Sequence, residues 1–511
     1  MKPATLRNFL HLHTWVGLLS GLALFIAFYA GAITVFSHEV GDWNRRGAQA
    51  RLTPDPIERS QQLLDRLLRE KPQAAESIYI VLPGEHGPQP TAYWYEAATA
   101  QSHKFAFDDH EALRESAFGD AFIEFIYDLH FTAGLPKPWG TYLFGIVSLL
   151  YGLALVSGVV IYAPSFLKSL FALRLGRNTK QLWQDAHNAI GILSLPFHVV
   201  FAWSGAVLTI GLLLLLPFNA MVYDGKLNQL LERDYFGAPQ KPAAGVAKPT
   251  LPLHELLTRS QAAMPGLEIE GIGITQAGDA NAQATAYGII EQRRLNTLGA
   301  VVLDATSGRL VASYAPTTMT PGMWMLRGLQ ALHYGSFGHE AIKWLYFALG
   351  LAGAFLFYSG NLLWIEARRK RRQQEQPRSA RVMAALTLGV CLGCIAGVSA
   401  VFIAGALWPG WRVAPLYFAV FLACLAWPCL RQPARAAQEL LWLCAALTAL
   451  IPVAGWIGMR EHLFAAAWHG HWHRFFVDAI AMAMALTYAA MARGVHKRAT
   501  QGDPNSVWAL R

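Results

Sequence analysis

Residues 13–33 read HTWVGLLSGLALFIAFYAGAI and residues 187–207 read HNAIGILSLPFHVVFAWSGAV. His13, Gly17 and Gly31 of the first stretch recur as His187, Gly191 and Gly205 in the second, at offsets of four and eighteen residues. At about 100° per residue those offsets put all three residues on one face of an α-helix. Each stretch predicts an apolar helix in which a histidine is followed, down one stripe, by positions without a side chain. The likeness continues, because LHFTAGLPKPWGTYLFGIVSLLYGLALVSG (129–158) resembles LHYGSFGHEAIKWLYFALGLAGAFLFYSG (332–360). The first two-thirds of the chain reads as a duplication, each copy running span, insert, span.

With 54% hydrophobic and 15% charged residues, the 511-residue chain departs from the globular norm of roughly a quarter charged. It reads as an α-helical integral membrane protein. Eight segments are apolar over the ~20 residues needed to cross a core of roughly 30 Å: 14–36, 140–162, 188–217, 342–365, 383–406, 412–430, 437–458 and 474–494. The first has no small-residue cleavage site before His38 and is expected to remain as an anchor. Basic residues in short loops mark the cytoplasmic side. Lys168, Arg174, Arg177 and Lys180, the run Arg368–Arg372, Arg431 and Arg435, and Lys497 and Arg498 all fall on one side of such a topology. Both termini are then cytoplasmic and two long inserts, roughly 38–125 and 220–325, face the periplasm or cell exterior. These anchors explain the net charge of +9 without a nucleic-acid partner.

The expected division is a first span (1–37), an external domain (38–128), a second span and cytoplasmic loop (129–183), a third span (184–219), a second external domain (220–325), a fourth span (326–370), a basic linker (371–381), four additional helices (382–496) and a tail (497–511). In the inserts, SIYIVLPG and AYWYEAA, then ATAYGII and GAVVLDATSGRLVASYA, alternate as strands do, whereas PIERSQQLLDRLLRE and LHELLTRSQAAM have helical periodicity. Two small α+β modules are predicted, with Asp108 aligned on Asp304. All five cysteines lie in the appended C-terminal helices, so no disulfide staples either insert. Cys391 and Cys394 form a C-x-x-C inside an apolar helix and read as small buried thiols. His469, His471 and His473 in WHGHWHR either bind a metal, through His469 and His473 if helical, or belong to an interfacial tryptophan belt; the belt is the favoured reading.

Coordinating groups inside spans are costly and face a pathway or a bound group. A neutral imidazole is an axial ligand for haem iron, and a glycine one turn away lets a flat macrocycle approach the backbone. His13 and His187, near the cytoplasmic ends of spans one and three, are expected to clamp one haem, with Gly17, Gly31, Gly191 and Gly205 making room. His198, about 16 Å further along span three, is a candidate for a second, stacked haem, although its counterpart in the first copy is Leu24. His130 and His333 match each other at the outer interface, either as a symmetric pair of ligands or with one paired to His198. No C-x-x-C-H attachment motif occurs, so the haem, expected in two copies, is b-type.

Leu12, His13, Trp15, Gly17 and Leu18 match an LH-x-W-x-G-L start, and each later LH is followed by a span ending in Ser-Gly. Over roughly 1–370 the chain resembles the PepSY-associated transmembrane helix family. That resemblance implies periplasmic PepSY modules and, as in inner-membrane ferric-siderophore reductases, electron transfer from a quinone or cytoplasmic reductant across two haems to an Fe(III) chelate, with release of Fe(II). The four extra C-terminal helices depart from the minimal pattern. The competing expectation is a haem-free membrane scaffold whose PepSY modules bind or restrain a periplasmic protein or peptide.

Overall fold

A computed structural model describes residues 3–44, 55–84, 89–96, 101–108, 110–117, 122–165, 179–227, 241–290 and 295–510. Lys168, Arg174 and Arg177 lie outside the described residues. In chain order, α1 (Pro3–Thr34) and α2 (Ser37–Trp43) precede α3 (Pro56–Glu70), strands β1 (Ser77–Val81), β2 (Thr91–Glu96), β3 (Gln101–Phe107) and β4 (Leu113–Ala117), and α4 (Phe122–Thr132). Next come α5 (Trp139–Tyr162), α6 (Thr179–Leu193), α7 (Leu195–Met221), α8 (Leu253–Ala263), strands β5 (Glu268–Thr275), β6 (Gln283–Ile289), β7 (Leu298–Asp304) and β8 (Leu310–Tyr314), and α9 (Pro321–Tyr334). The remainder is helical: α10 (Glu340–Ala367), α11 (Arg378–Leu407), α12 (Ala414–Leu430), α13 (Pro433–Met459), α14 (Leu463–Trp468) and α15 (Trp472–Gln501). The chain divides into a unit of Met1–Ala48, Gly119–Gly211 and Lys343–Arg511, and a unit of Gln49–Phe118 and Leu212–Ile342.

Among the described residues, seven helices are long and apolar enough to cross a membrane: α1, α5, α7, α10, α11, α13 and α15. The segment expected at 412–430 forms α12, which is apolar but only 17 residues long, about 26 Å at 1.5 Å per residue. The segment expected at 188–217 is interrupted at Ser194, between α6 and α7. Pro196 is the cause, because it lacks the N–H that would bond back to the preceding turn. Without a hydrophobic drive between helices in lipid, close packing at small residues holds such a bundle together. A Cβ at Gly350 of α10 would lie 2.9 Å from the Ala32 Cβ of α1, and one at Gly353 would strike the Phe28 ring. In the appended helices, Gly389, Gly393 and Gly397, four residues apart on α11, receive Leu425, Phe421 and Tyr417 of α12. Cys391 and Cys394 are buried in α11 as free thiols.

In the second unit the inserts, expected as two modules, share one antiparallel sheet of eight strands ordered β4-β3-β2-β1-β5-β6-β7-β8. The order reads alike from either edge because each insert supplies a helix and a four-stranded meander, joined where β1 pairs with β5, Ile78 opposite Ile274 and Ile80 opposite Ile272. Asp55 caps α3 by accepting from the Glu58 N–H, and Leu63, Leu64 and Leu67 of that helix bury with Leu253, Leu256 and Leu257 of α8. Ile78, Ile80, Ile272, Ile274, Val301 and Leu303 belong to the same core. Asp108 and Asp304 hold equivalent hairpins. Asp108 Oδ1 accepts from the His110 and Ala112 N–H groups, and Asp304 Oδ1 from the Thr306 and Ser307 N–H groups and the Thr306 hydroxyl.

Candidate functional site

His13 of α1 lies against α5 at the Ser157-Gly158 step. Its Nδ1 donates to the Ala154 carbonyl at 2.9 Å and to the Ser157 Oγ at 3.3 Å, while that hydroxyl donates to the Leu153 carbonyl at 2.8 Å. A Cβ at Gly158 would stand 3.1 Å from the His13 Cε1, so the ring rests where a side chain is missing. His187 repeats the arrangement on α10. Its Nδ1 donates to the Leu356 carbonyl at 3.1 Å and to the Ser359 Oγ at 3.3 Å, and a Cβ at Gly360 would stand 3.2 Å from its Cε1. A proton fixed on Nδ1 leaves the lone pair on Nε2, the tautomer a metal ligand needs. Neither Nε2 has a hydrogen-bond partner among the described residues, and the two rings face each other edge to face with centres 6.3 Å apart.

The glycine stripe divides into two roles. Nothing lies within 4 Å of a Cβ built at Gly17, and at Gly191 only Leu356 comes near, at 3.7 Å. Gly31 instead seats His130. The His130 Nδ1 donates to the Ala27 carbonyl at 2.7 Å, and a Cβ at Gly31 would stand 2.6 Å from that nitrogen. Gly205 faces the Ser148 hydroxyl. Gly31 and Gly205 therefore admit neighbouring side chains, whereas Gly17 borders open space.

His198 is fully buried with both nitrogens engaged, Nδ1 with the Tyr151 hydroxyl at 2.5 Å and Nε2 with the Ser194 hydroxyl at 2.9 Å. Phe28 and Phe197 flank its ring. Ligation through Nε2 requires Ser194 to give way, a requirement absent at His13 and His187. His333, on α9, belongs to the other unit and meets Tyr334 edge to face.

A second polar cluster lies beyond α13. His469 and His471 converge on Glu461, their Nδ1 atoms 2.9 and 2.8 Å from its Oε1, with ring centres 5.8 Å apart. Gly470, at φ +76°, turns the chain between them in a conformation that favours glycine. Arg474 donates to the Glu461 Oε2 at 2.8 Å. Burial would raise the Glu461 carboxyl, but hydrogen bonds from His469, His471 and Arg474 outweigh it and hold the group down at about 2. The alternative pairing of His469 with His473, which a continuous helix would have given, does not form. The intervening turn sends His473 to Asp42, 3.1 Å away, and beside His38 of α2. Sequence reading missed Glu461, eight residues before His469 and across a turn; a carboxylate near a His-Gly-His step was the available signal.

These features define a multi-pass membrane protein with an internally duplicated, histidine-bearing helical core and a separate β-sheet unit. Residues 10–367 match the family described as PepSY-associated TM region, and the chain belongs to that family. It is 25% identical over 372 residues to an uncharacterized protein of Pseudomonas aeruginosa, covering 67% of this chain and 89% of the relative.

Proposed function

We propose that this chain is a haem-containing oxidoreductase of the bacterial inner membrane that delivers electrons outward to a ferric siderophore or a related Fe(III) chelate and releases Fe(II). The observation that carries the proposal is the repeat-related pair His13 and His187. Both Nε2 atoms are without a hydrogen-bond partner among the described residues and the two ring centres lie 6.3 Å apart, so the pair could hold one haem, and the open flank of Gly17 leaves room beside it.

When bound, b-type haem would supply one-electron transfer. The protein's own contribution is to hold it. His13 and His187 offer Nε2, while the Ala154 and Leu356 carbonyls and the Ser157 and Ser359 hydroxyls fix the proton on Nδ1. Phe28, Phe197, Phe201 and Phe357 fill the adjoining core and exclude water. For a second haem on the external side we assign His130 as one ligand, with its imidazole anchored to the Ala27 carbonyl in the same manner. His198 could join it only by releasing its Nε2 from the Ser194 hydroxyl.

The orientation we propose makes eight crossings, α12 included, with both termini cytoplasmic and the sheet unit periplasmic. Ion pairs support one part of it: Glu366, after span four, bonds Arg369 and Arg498, so the two basic clusters share one end of the bundle. A ferric chelate is too polar for the hydrocarbon core, so its reduction belongs at the outer surface. Electrons enter from a quinol or a cytoplasmic reductant, and membrane lipid surrounds the bundle. Pyridine haemochrome analysis of protein from haem-replete cells is expected to return protohaem, and dithionite-reduced protein is expected to reoxidise on adding an Fe(III) chelate. Well-folded protein without haem refutes the proposal and favours a scaffold that binds a periplasmic protein or peptide.

A further inference from the structure

The appended helices carry a donor set that the electron-transfer reading does not use. Glu461 follows α13, His469 and His471 bracket Gly470 between α14 and α15, and one carboxylate oxygen and two imidazole nitrogens lie within 4.8 Å of one another. We propose that Glu461, His469 and His471 bind a first-row divalent transition-metal ion, with its remaining coordination positions open to solvent. Two imidazoles and one carboxylate suit zinc, iron(II) or copper(II), whereas magnesium and calcium select oxygen donors.

Both Nδ1 atoms now donate to Glu461, so metal binding transfers each imidazole proton to Nε2 and frees the Nδ1 lone pair, with a small change in geometry. Ligand atoms about 2.0–2.2 Å from a tetrahedral ion lie about 3.3–3.5 Å apart. The Glu461 Oε1 now stands 2.9 Å from one Nδ1 and 2.8 Å from the other, so an opening of about half an ångström admits the ion. The support is already built. Arg474 holds the Oε2, which also lies 2.9 Å from the His471 Nδ1, and the turn at Gly470 brings residues two apart onto one side. Arg474 adds a positive charge, and Asp478 of α15, bonded at 2.8 Å to the Trp43 indole N–H, brings an opposing carboxylate to the same helix end. The exposed His469 imidazole leaves solvent access for further ligands.

The test is calorimetric titration of the full-length protein in detergent with Zn2+, with Mg2+ as the comparison ion. One saturable Zn2+ site is expected, with Mg2+ at least about a hundredfold weaker. His469→Ala and His471→Ala are each expected to weaken Zn2+ binding at least about tenfold, while His473→Ala leaves it unchanged. His469 is exposed, so its variant is expected to fold, and an unchanged unfolding midpoint checks this. The site does not depend on the haem reading, so His13→Ala protein is expected to bind Zn2+ as the parent does. No saturable Zn2+ binding, equal Mg2+ affinity, or undiminished Zn2+ binding in both the His469 and His471 variants overturns the proposal.

Discussion

Replacing Gly31 or Gly158 by alanine perturbs two histidine seats by different amounts. A Cβ at Gly31 would lie 2.6 Å from Nδ1 and 2.8 Å from Cε1 of His130. Restoring an ordinary contact of about 3.5 Å moves the ring back by about 0.8 Å. The Nδ1 bond to the Ala27 carbonyl, now 2.7 Å, would lengthen to about 3.5 Å, beyond hydrogen-bonding range. Losing that partner in a buried setting costs about 1–3 kcal/mol, against a helix-propensity gain of about 1 kcal/mol for alanine over glycine. A net loss of about 1 kcal/mol follows for Gly31→Ala. At Gly158 the Cβ would lie 3.1 Å from the His13 Cε1, a retreat of about 0.4 Å stretches the Ala154 bond to about 3.3 Å without breaking it, and the propensity gain prevails. Thermal unfolding in detergent is therefore expected to rank Gly31→Ala below the parent and Gly158→Ala level with it or above. Gly31→Ala protein as stable as the parent, with Gly158→Ala the weaker of the two, would refute the seating.

Ser157→Ala and Ser359→Ala each remove one of two acceptors from a histidine Nδ1. Because the backbone carbonyl remains, about tenfold weaker haem retention is expected, measured by transfer to apomyoglobin. His198→Ala leaves the buried Tyr151 hydroxyl without that partner and opens a cavity, so a stability loss of at least about 2 kcal/mol is expected by chemical denaturation while the haem between His13 and His187 is kept. In the sheet unit, burial acts to raise the Asp304 carboxyl, but hydrogen bonds from Thr306 and Ser307 prevail and hold it below its ordinary value. A lowered folded-state value means stabilisation present above about pH 4 and lost as pH falls through that folded value, so the stability difference between Asp304→Asn and the parent should be clear at pH 7 and vanish in acid. A difference that grows on acidification would contradict this.

Hydropathy made the spans legible because long apolar helices leave a one-dimensional signal, and duplication made His13 and His187 stand out as partners. The Ser-Gly ends of spans two and four were visible as a motif, but not as the places where those imidazoles rest. That contact joins residues over 140 apart in sequence. Gly31 was read as space for a macrocycle because its stripe position matches that of Gly17; only the packing of α4 on α1 gives that space to His130. The pairing of β1 with β5 left no mark because each insert read as a self-sufficient meander. His198 looked like a free ligand, since neither Tyr151 nor Ser194 announces a hydrogen bond to it. Glu461 escaped notice because Gly470's positive φ, not helical periodicity, brings the histidines to it.

The central claim, that His13 and His187 hold one haem between them, is tested most directly by reduced-minus-oxidised spectra with potentiometric titration of the parent, His13→Ala, His187→Ala and the double variant. The same redox component is expected to be lost or shifted in both single variants, and the double variant should look like either single one. Two different components lost, or a single variant with the parent's spectrum and midpoint, would contradict it.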